Sequence, residues 1–318
     1  MPVLYLTEDD VRRVLTMDIA IEAVEAGLRK MALEEASNVP RTRCQTDHVM
    51  LHILSAAAKT LGVIGFKAYT TTKNGPSFHI TIYDGKTGEM ATMMQAAFLG
   101  QMRTGATSAV ATRCLALPEA ASVGMFGTGN QARTQLMGVC RVRPIKKALV
   151  YSPNEERRKA FATEMSKVCE IEVVPVAKAE EAAREHDIVI TATSAREPVL
   201  VGEWVSPGQH LNIVGSNFIA KSEIDVEVVR RANLICIDSR DQGKLEAGDF
   251  SAALDQRVID WYDIQDLGRI VANRIPGRES PEDVTLFKSL GIGLEDIAVG
   301  AVVFELAKQA GLGKWLDL

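Results

Sequence analysis

The stretch Gly124-Met125-Phe126-Gly127-Thr128-Gly129-Asn130-Gln131-Ala132 follows an apolar run and opens a helical one, and it constrains the fold more than any other part of the chain. Within it Gly127, Gly129 and Ala132 fit the spacing G-x-G-x-x-A. The first glycine permits a tight turn, the second lets backbone approach a pyrophosphate, and the small third residue lets helix pack closely on strand. The helix N-terminus then faces the anion, and Thr128, Asn130 and Gln131 complete the candidate contacts. Such spacing alone is a weak signal. Here a complete strand, helix, strand unit follows it.

After Pro118 the pattern alternates: strand 122–126, helix 130–140, strand 147–151, helix 154–168, strand 171–176, helix 179–184, strand 188–192. Runs such as 188–190 and 211–214 lack strict alternation, as expected of strands covered by helices on both faces. Residues 118–293 therefore predict a Rossmann-type, doubly wound parallel α/β domain that binds a dinucleotide. The residues before them read differently. A helix or two over 6–37, with Thr7 as N-cap, precedes antiparallel strands at 49–54, 63–72, 78–83 and 89–93, with a turn at Asp84-Gly85-Lys86-Thr87-Gly88. A helix over 96–117 follows, closed by Pro118. This is an α+β domain over 1–117, and a helix at about 294–309, apolar nearly all round, is expected to be buried and to pack back on it. Two domains suit a chain of 318 residues.

Charge and cysteine usage narrow the function classes. A net charge of −5 with no block of like charges gives no reason to expect nucleic acid. Apolar runs stop well short of the roughly 18 to 20 residues needed to span a bilayer, and Asp9, Asp10, Arg12 and Arg13 come early, so a cytoplasmic protein without membrane contact is expected. The cysteines, Cys44, Cys114, Cys140, Cys169 and Cys236, are widely separated with no histidine cluster, which predicts reduced and mostly buried thiols. His48 and His52 are four apart, but in a stretch that reads as strand and turn, so no metal site is expected.

The end of the second strand of a dinucleotide domain separates the two nicotinamide cofactors, because an acidic side chain there accepts from the ribose hydroxyl. This chain has Val150-Tyr151-Ser152-Pro153-Asn154, with Ser152 in place of a carboxylate. Arg157 and Arg158 follow and suit a 2′-phosphate, with Glu155 and Glu156 offsetting them, or they are solvated helix charges. NADP(H) is slightly favoured over NAD(H). Thr191 and Thr193, after the fourth strand, are placed to line the nicotinamide pocket.

Three cations stand out in the first domain: Arg41, Lys67 inside the apolar Gly65-Phe66-Lys67-Ala68-Tyr69, and Arg103. A lysine inside an apolar strand needs a partner or a ligand. With Pro40-Arg41, Gly65-Phe66-Lys67, Arg103-Thr104-Gly105-Ala106-Thr107-Ser108-Ala109, the glycine turn, Glu203-Trp204-Val205, Gly215-Ser216-Asn217, Phe287-Lys288-Ser289-Leu290-Gly291 and Glu295-Asp296, the chain resembles the ornithine cyclodeaminase/μ-crystallin family over nearly its whole length. The resemblance implies a homodimer whose N-terminal domains join their sheets. It places a substrate-carboxylate clamp on Arg41, Lys67 and Arg103 and adds Asn217 to the substrate side. Thr107, Ser216 and Lys288 join the cofactor contacts, with Thr107 and Ser108 equally explained as small packing residues. Arginine grips a carboxylate bidentately, and a lysine beside two arginines is pushed towards proton-transfer range, which makes Lys67 the candidate proton carrier, or else a clamp member only.

One departure matters. The true cyclodeaminases carry an aspartate at the position matching Asn217, and asparagine cannot take a proton at neutral pH. Ring closure of ornithine loses its base, whereas hydride transfer to an imine carbon does not need one. The resemblance therefore implies an NAD(P)H-dependent reductase of a small α-imino acid, such as pyrroline- or piperideine-2-carboxylate, or the reverse amino-acid dehydrogenase. Ornithine or lysine cyclodeamination with bound NAD, and a non-catalytic μ-crystallin-like binding protein, are the alternatives. Phe218 and Ile219 beside Asn217 suggest an apolar side-chain pocket.

Overall fold

The computed structural model describes residues 2–317. The chain divides into two units, Met1–Arg103 with Ile292–Leu318, and Thr104–Gly291. The expected boundary at 117/118 thus moves into the helix that precedes it.

The first unit begins with strand β1 (Val3–Leu6), then helices α1 (Glu8–Val14) and α2 (Met17–Ala32). Thr7 caps α1 as expected: its hydroxyl accepts from Asp10 N at 3.3 Å while the Asp10 carboxylate accepts from Thr7 N at 3.0 Å. Strands β2 (Ala36–Gln45), β3 (Met50–Ala58), β4 (Val63–Thr72), β5 (Gly75–Asp84) and β6 (Met90–Gln95) follow, antiparallel in succession. The helical reading to residue 37 therefore fails at Ala36. Strand β2 is polar and carries Pro40, which an edge strand tolerates because one row of its backbone groups needs no partner.

Helix α3 (Ala97–Leu115) starts where the Glu8 carboxylate accepts from Ala97 N at 2.6 Å and Phe98 N at 2.9 Å. The second unit has strands β7 (Ser122–Phe126), β8 (Lys147–Tyr151), β9 (Glu172–Pro175), β10 (Ile188–Thr191), β11 (His210–Ile213), β12 (Leu234–Ile237), β13 (Ile264–Asp266) and β14 (Thr285–Lys288). Its helices are α4 (Asn130–Val142), α5 (Glu155–Cys169), α6 (Val226–Arg231), α7 (Arg240–Glu246), α8 (Gly248–Asp255) and α9 (Leu267–Val271). All pairings are parallel, in the order β13-β12-β14-β11-β10-β7-β8-β9. Strand β10 sends Ile188 and Ile190 to one hydrophobic cluster and Val189 to the other, which explains its missing alternation. The helix expected at 179–184 is a 3-10 turn, Ala179–Ala182, ended before Glu185 at φ 60.

Helix α10 (Gly293–Gln309) and strand β15 (Lys314–Leu316) complete the first unit, whose sheet order is β15-β1-β6-β5-β4-β3-β2. Register aligns Leu54, Lys67, Ile80 and Met94 on one face. Helix α10 covers that face at close range. A Cβ on Gly293 would lie 3.1 Å from the Leu54 carbonyl carbon, and one on Gly65 would lie 3.0 Å from Ile297 Cδ1.

Among the described residues no helix is long and apolar enough to cross a membrane, and no cluster of three or more His, Cys, Asp or Glu side chains could hold a metal. All five cysteines carry reduced thiols, but the expectation that most are buried is corrected: Cys236 is buried, Cys114, Cys140 and Cys169 are half-buried, and Cys44, on the edge strand, is exposed. Cys140 and Cys169, far apart in sequence, meet through a side-chain hydrogen bond between α4 and α5.

Candidate active site

A β-bulge builds the cation cluster of the first unit. Counting in twos from the exposed, outward-facing Val39 would point Arg41 outward as well. Between Val39, opposite Ser55, and Thr42, opposite Ile53, the register shifts, so Pro40 and Arg41 together oppose the buried Leu54. Arg41 thereby joins the face of Lys67 and is 6% exposed. Lys67 itself, 3% exposed, lies between Leu54 and Ile80 on the neighbouring strands. Arg103, from α3, is 7% exposed. The structure therefore brings all three expected clamp residues to one place.

It also places there two carboxylates to which the sequence assigned no role. Asp296 and Glu295, in the first turn of α10, are fully and almost fully buried. Lys67 Nζ donates to Asp296 Oδ1 at 2.8 Å and lies 2.8 Å from Oδ2. Arg103 Nε donates to the same Oδ1 at 2.9 Å, and its Nη1 donates to Glu295 Oε2 at 2.9 Å. Burial, then the neighbouring Arg103, pulls the Lys67 amine down to about 8, with Asp296 resisting and Arg41 adding to the descent. His52, missed by sequence reading as a site residue, stacks on Tyr69 with ring centroids 4.1 Å apart and accepts from Arg43 Nε at 3.1 Å. Burial and the Arg43, Arg41 and Lys67 charges lower it to about 4, so it is neutral at pH 7. Two adjacent carboxylates in the otherwise apolar first half of α10 were the available sequence signal, since buried charges need partners.

The other unit carries the glycine turn. Gly127 has φ +106, its N–H donates to the Tyr151 carbonyl at 2.9 Å, and a Cβ there would lie 2.3 Å from the Ala192 carbonyl oxygen. Gly129 is the N-cap of α4 and has nothing within 4 Å of a would-be Cβ. Thr128 and Asn130 flank this open space, Gln131 and the buried Ala132 follow, and the first turn of α4 holds no acidic residue. A pyrophosphate fits these features: exposed donors, a positive helix end and room against the backbone. The turn lies at the carboxyl end of β7, whose neighbours β8 and β10 belong to the two outward-running halves of the sheet.

The two arginines after β8 part company. Arg158 Nη1 donates to the carbonyl of the buried Ser152 at 3.1 Å, whereas Arg157 is exposed beside the Asn154 cap of α5. At the ends of β10 and β11 a buried carboxylate, Glu223, organises the backbone. It accepts from Thr191 Oγ1 at 2.8 Å, from Thr193 N and Oγ1 at 2.7 Å each, and from Gly215 N at 2.6 Å. Thr191 is fully buried, which corrects its expected place in the pocket wall; it acts through Glu223, while Thr193 is half-buried beside the glycine turn. Lys288 is likewise corrected as a cofactor contact. Fully buried, its ammonium donates to the Ser216 carbonyl at 2.7 Å and lies 2.7 Å from Asp249, which in turn accepts from Glu223 N. Lys288 holds the Ser216 loop from behind. Asn217 is half-buried on that loop, and Phe218 and Ile219 are 37% and 54% exposed rather than enclosed. Thr107 and Ser108 are fully buried in α3, which crosses α4 so closely that a Cβ on Gly105 would sit 2.2 Å from the Thr134 carbonyl oxygen.

The family model of the ornithine cyclodeaminase/mu-crystallin family matches residues 3–311. The alanine dehydrogenase of Archaeoglobus fulgidus is 31% identical, over 98% of both chains. The solved Δ1-pyrroline-2-carboxylate reductase of Thermococcus litoralis, in complex with NADH and L-proline, is 35% identical with a TM-score of 0.94, covering 98% of this chain and 99% of that one. An archaeal alanine dehydrogenase dimer with bound NAD is 30% identical with a TM-score of 0.94 over the whole of both chains.

Proposed function

Because the chain belongs to the ornithine cyclodeaminase/mu-crystallin family, we propose that it is an NAD(P)(H)-dependent oxidoreductase that reduces a small α-imino acid, such as a cyclic ketimine carboxylate, and oxidises the matching amino acid in reverse. The observation that carries this reading is Lys67: an amine on a buried face with Arg41 and Arg103, near the midpoint of its titration at physiological pH. The arginines are read as gripping the substrate carboxylate, which holds the adjacent carbon in place. Lys67 gives a proton to the imine nitrogen and takes it back in the oxidative direction. When bound at the glycine turn, the nicotinamide supplies or accepts the hydride.

Asn217 favours this reaction over ring-closing deamination, because no carboxylate stands there to deprotonate a side-chain amine. For the dinucleotide, the lean towards NADP(H) weakens once Arg158 is turned to Ser152, and the two solved relatives carry NADH and NAD; the site is read as open to both, with Arg157 the residue that would meet a 2′-phosphate. A homodimer is proposed from the exposed Val39, Ile53 and Ile64 on the outer face of the first unit's sheet and from one solved relative being a dimer. The test is a matrix of NADH and NADPH against cyclic ketimines, pyruvate with ammonia, and ornithine, followed at the reduced-nicotinamide absorbance. Ketimine-dependent oxidation of the cofactor supports the proposal. Ammonia release from ornithine with catalytic NAD and no net reduction would make the protein a cyclodeaminase, and tight nucleotide binding without any turnover would make it a binding protein.

A further inference from the structure

We infer that Asp296 is the positioning residue of the site: a single buried carboxylate that holds the Lys67 amine and the Arg103 guanidinium in one fixed arrangement, with Glu295 locking the far side of the guanidinium. The inference rests on the reductase reading and goes beyond it by assigning the first turn of α10 a task in the reaction. Asp296 Oδ1 receives both Lys67 Nζ, at 2.8 Å, and Arg103 Nε, at 2.9 Å, so the two cations cannot turn independently. Consecutive residues on a helix diverge by about 100°, and Arg103 bridges that divergence by reaching Glu295 with Nη1. A lysine stem has four rotatable carbons, and between Leu54 and Ile80 the amine is held by Asp296, with the Tyr69 ring of its own strand 5.7 Å away. A clamp built for stability alone would gain little, since buried ion pairs are often no better than apolar replacements. Fixed geometry at a reacting proton is what such a pair does supply.

The arrangement has a consequence for protonation. The charged and titratable groups facing Lys67 include Arg41 from β2, His52 from β3, Tyr69 from β4 itself, Arg103 from α3 and Asp296 from α10, and His52 is neutral near pH 7. Among the main influences on the amine, Asp296 holds its proton on, and burial, Arg103 and Arg41 drive it off. Replacing the carboxylate by an amide of the same shape removes that restraint.

The experiment is the pH profile of kcat/KM for ketimine reduction in the wild type, Asp296→Asn, Asp296→Glu and Glu295→Gln. In the wild type the rate falls above about 8. In Asp296→Asn the fall moves to lower pH by about one unit or more, the usual effect of losing an opposite charge at this range. Glu295→Gln, at a carboxylate that accepts from Arg103 Nη1 and from Ile292 N, raises KM and leaves the limb in place. Asp296→Glu keeps the charge, so its limb stays near that of the wild type, but the longer side chain displaces Lys67 and kcat drops. An Asn variant with lower activity and an unmoved limb overturns the inference, as does a Glu variant with unchanged kcat, which covers the case of an Asn variant that does not fold. Wild-type enzyme that turns over no imino acid, or keeps turnover in Lys67→Met, overturns the reductase reading instead.

Discussion

At the scale of single residues, position in the fold decides what each charged or small side chain does. Lys67 is expected to set opposite pH limits on the two directions of one reaction. Reduction needs the ammonium and is lost as pH rises through about 8; oxidation needs the free amine and is lost as pH falls through the same value. Rate profiles in both directions check this, and Lys67→Met should cost a factor of roughly 10² or more in kcat while nucleotide still binds. The two glycines of the turn make a second, contrasting pair. Gly127→Ala forces a Cβ to within 2.3 Å of the Ala192 carbonyl oxygen at φ +106 and should lower stability by about 1–3 kcal/mol. Gly129→Val meets open space within the protein, so the variant should lose only the roughly 1 kcal/mol of a poorer N-cap yet bind NADH at least roughly tenfold more weakly, a difference of about 1.4 kcal/mol. Calorimetry on both variants, with and without NADH, separates the two effects; unweakened NADH binding in Gly129→Val would show that the open space is not the cofactor's. Lys67 was legible in the sequence because an ammonium inside Gly65-Phe66-Lys67-Ala68-Tyr69 demands a partner. Its partner was not, because Asp296 is more than two hundred residues away along the chain and only α10 packing on β4 brings it near.

At the scale of elements, legibility followed burial. Although β12, β13 and β14, of three or four residues each, were missed, strands β7 to β11 stood out because both faces are covered and runs such as Ile188–Thr191 are apolar with little interruption. Strand β2 was hidden for the opposite reason: it lies at a sheet edge, carries Pro40 and exposes Ser37, Val39, Thr42 and Cys44. The bulge that turns Arg41 inward leaves no pattern of its own, so the residue was found through its resemblance to a family and not through periodicity. Strands β1 and β15 have four and three residues, too few for any period to show. The contact of α10 with β4 depends on Gly65, where a Cβ would lie 2.4 Å from the Thr81 carbonyl oxygen and 3.0 Å from Ile297 Cδ1. Gly65→Ala should therefore push the helix and strand apart, at a cost of about 1–3 kcal/mol. Because Lys67 and Asp296 ride on these two elements, activity should fall more than the melting temperature alone explains. Ketimine reduction measured well below the melting temperature tests that link, and a destabilised variant with full activity would break it.

At the scale of the whole molecule, acid tolerance and assembly follow from groups already placed. His52 is lowered to about 4 and the fully buried His210 to about 3, each by burial first. The unfolded chain takes up protons near 6.5 that the folded chain refuses, so stability is complete above that value and declines as pH falls towards 4. Melting temperatures between pH 7 and 4 should fall progressively, and His52→Gln should flatten part of the decline. Assembly turns on the outer face of the first unit's sheet. Register puts Val39, opposite Ser55, on that face together with Ile53 and Ile64, and they are 51%, 38% and 48% exposed. A sheet face with three exposed branched aliphatics beside the edge strand β2 is poorly suited to water, since it leaves apolar area and an unpaired row of backbone groups exposed together. Covering that face with a second copy removes the apolar area from water. Ile53→Asp combined with Ile64→Asp places two charges where the partner would sit, and desolvating them without counter-charges makes association unfavourable. The double variant should sediment as a monomer where the wild type sediments as a dimer, with its circular dichroism unchanged because neither side chain serves the face that α10 covers. A dimer that persists in the variant would move the interface to another surface.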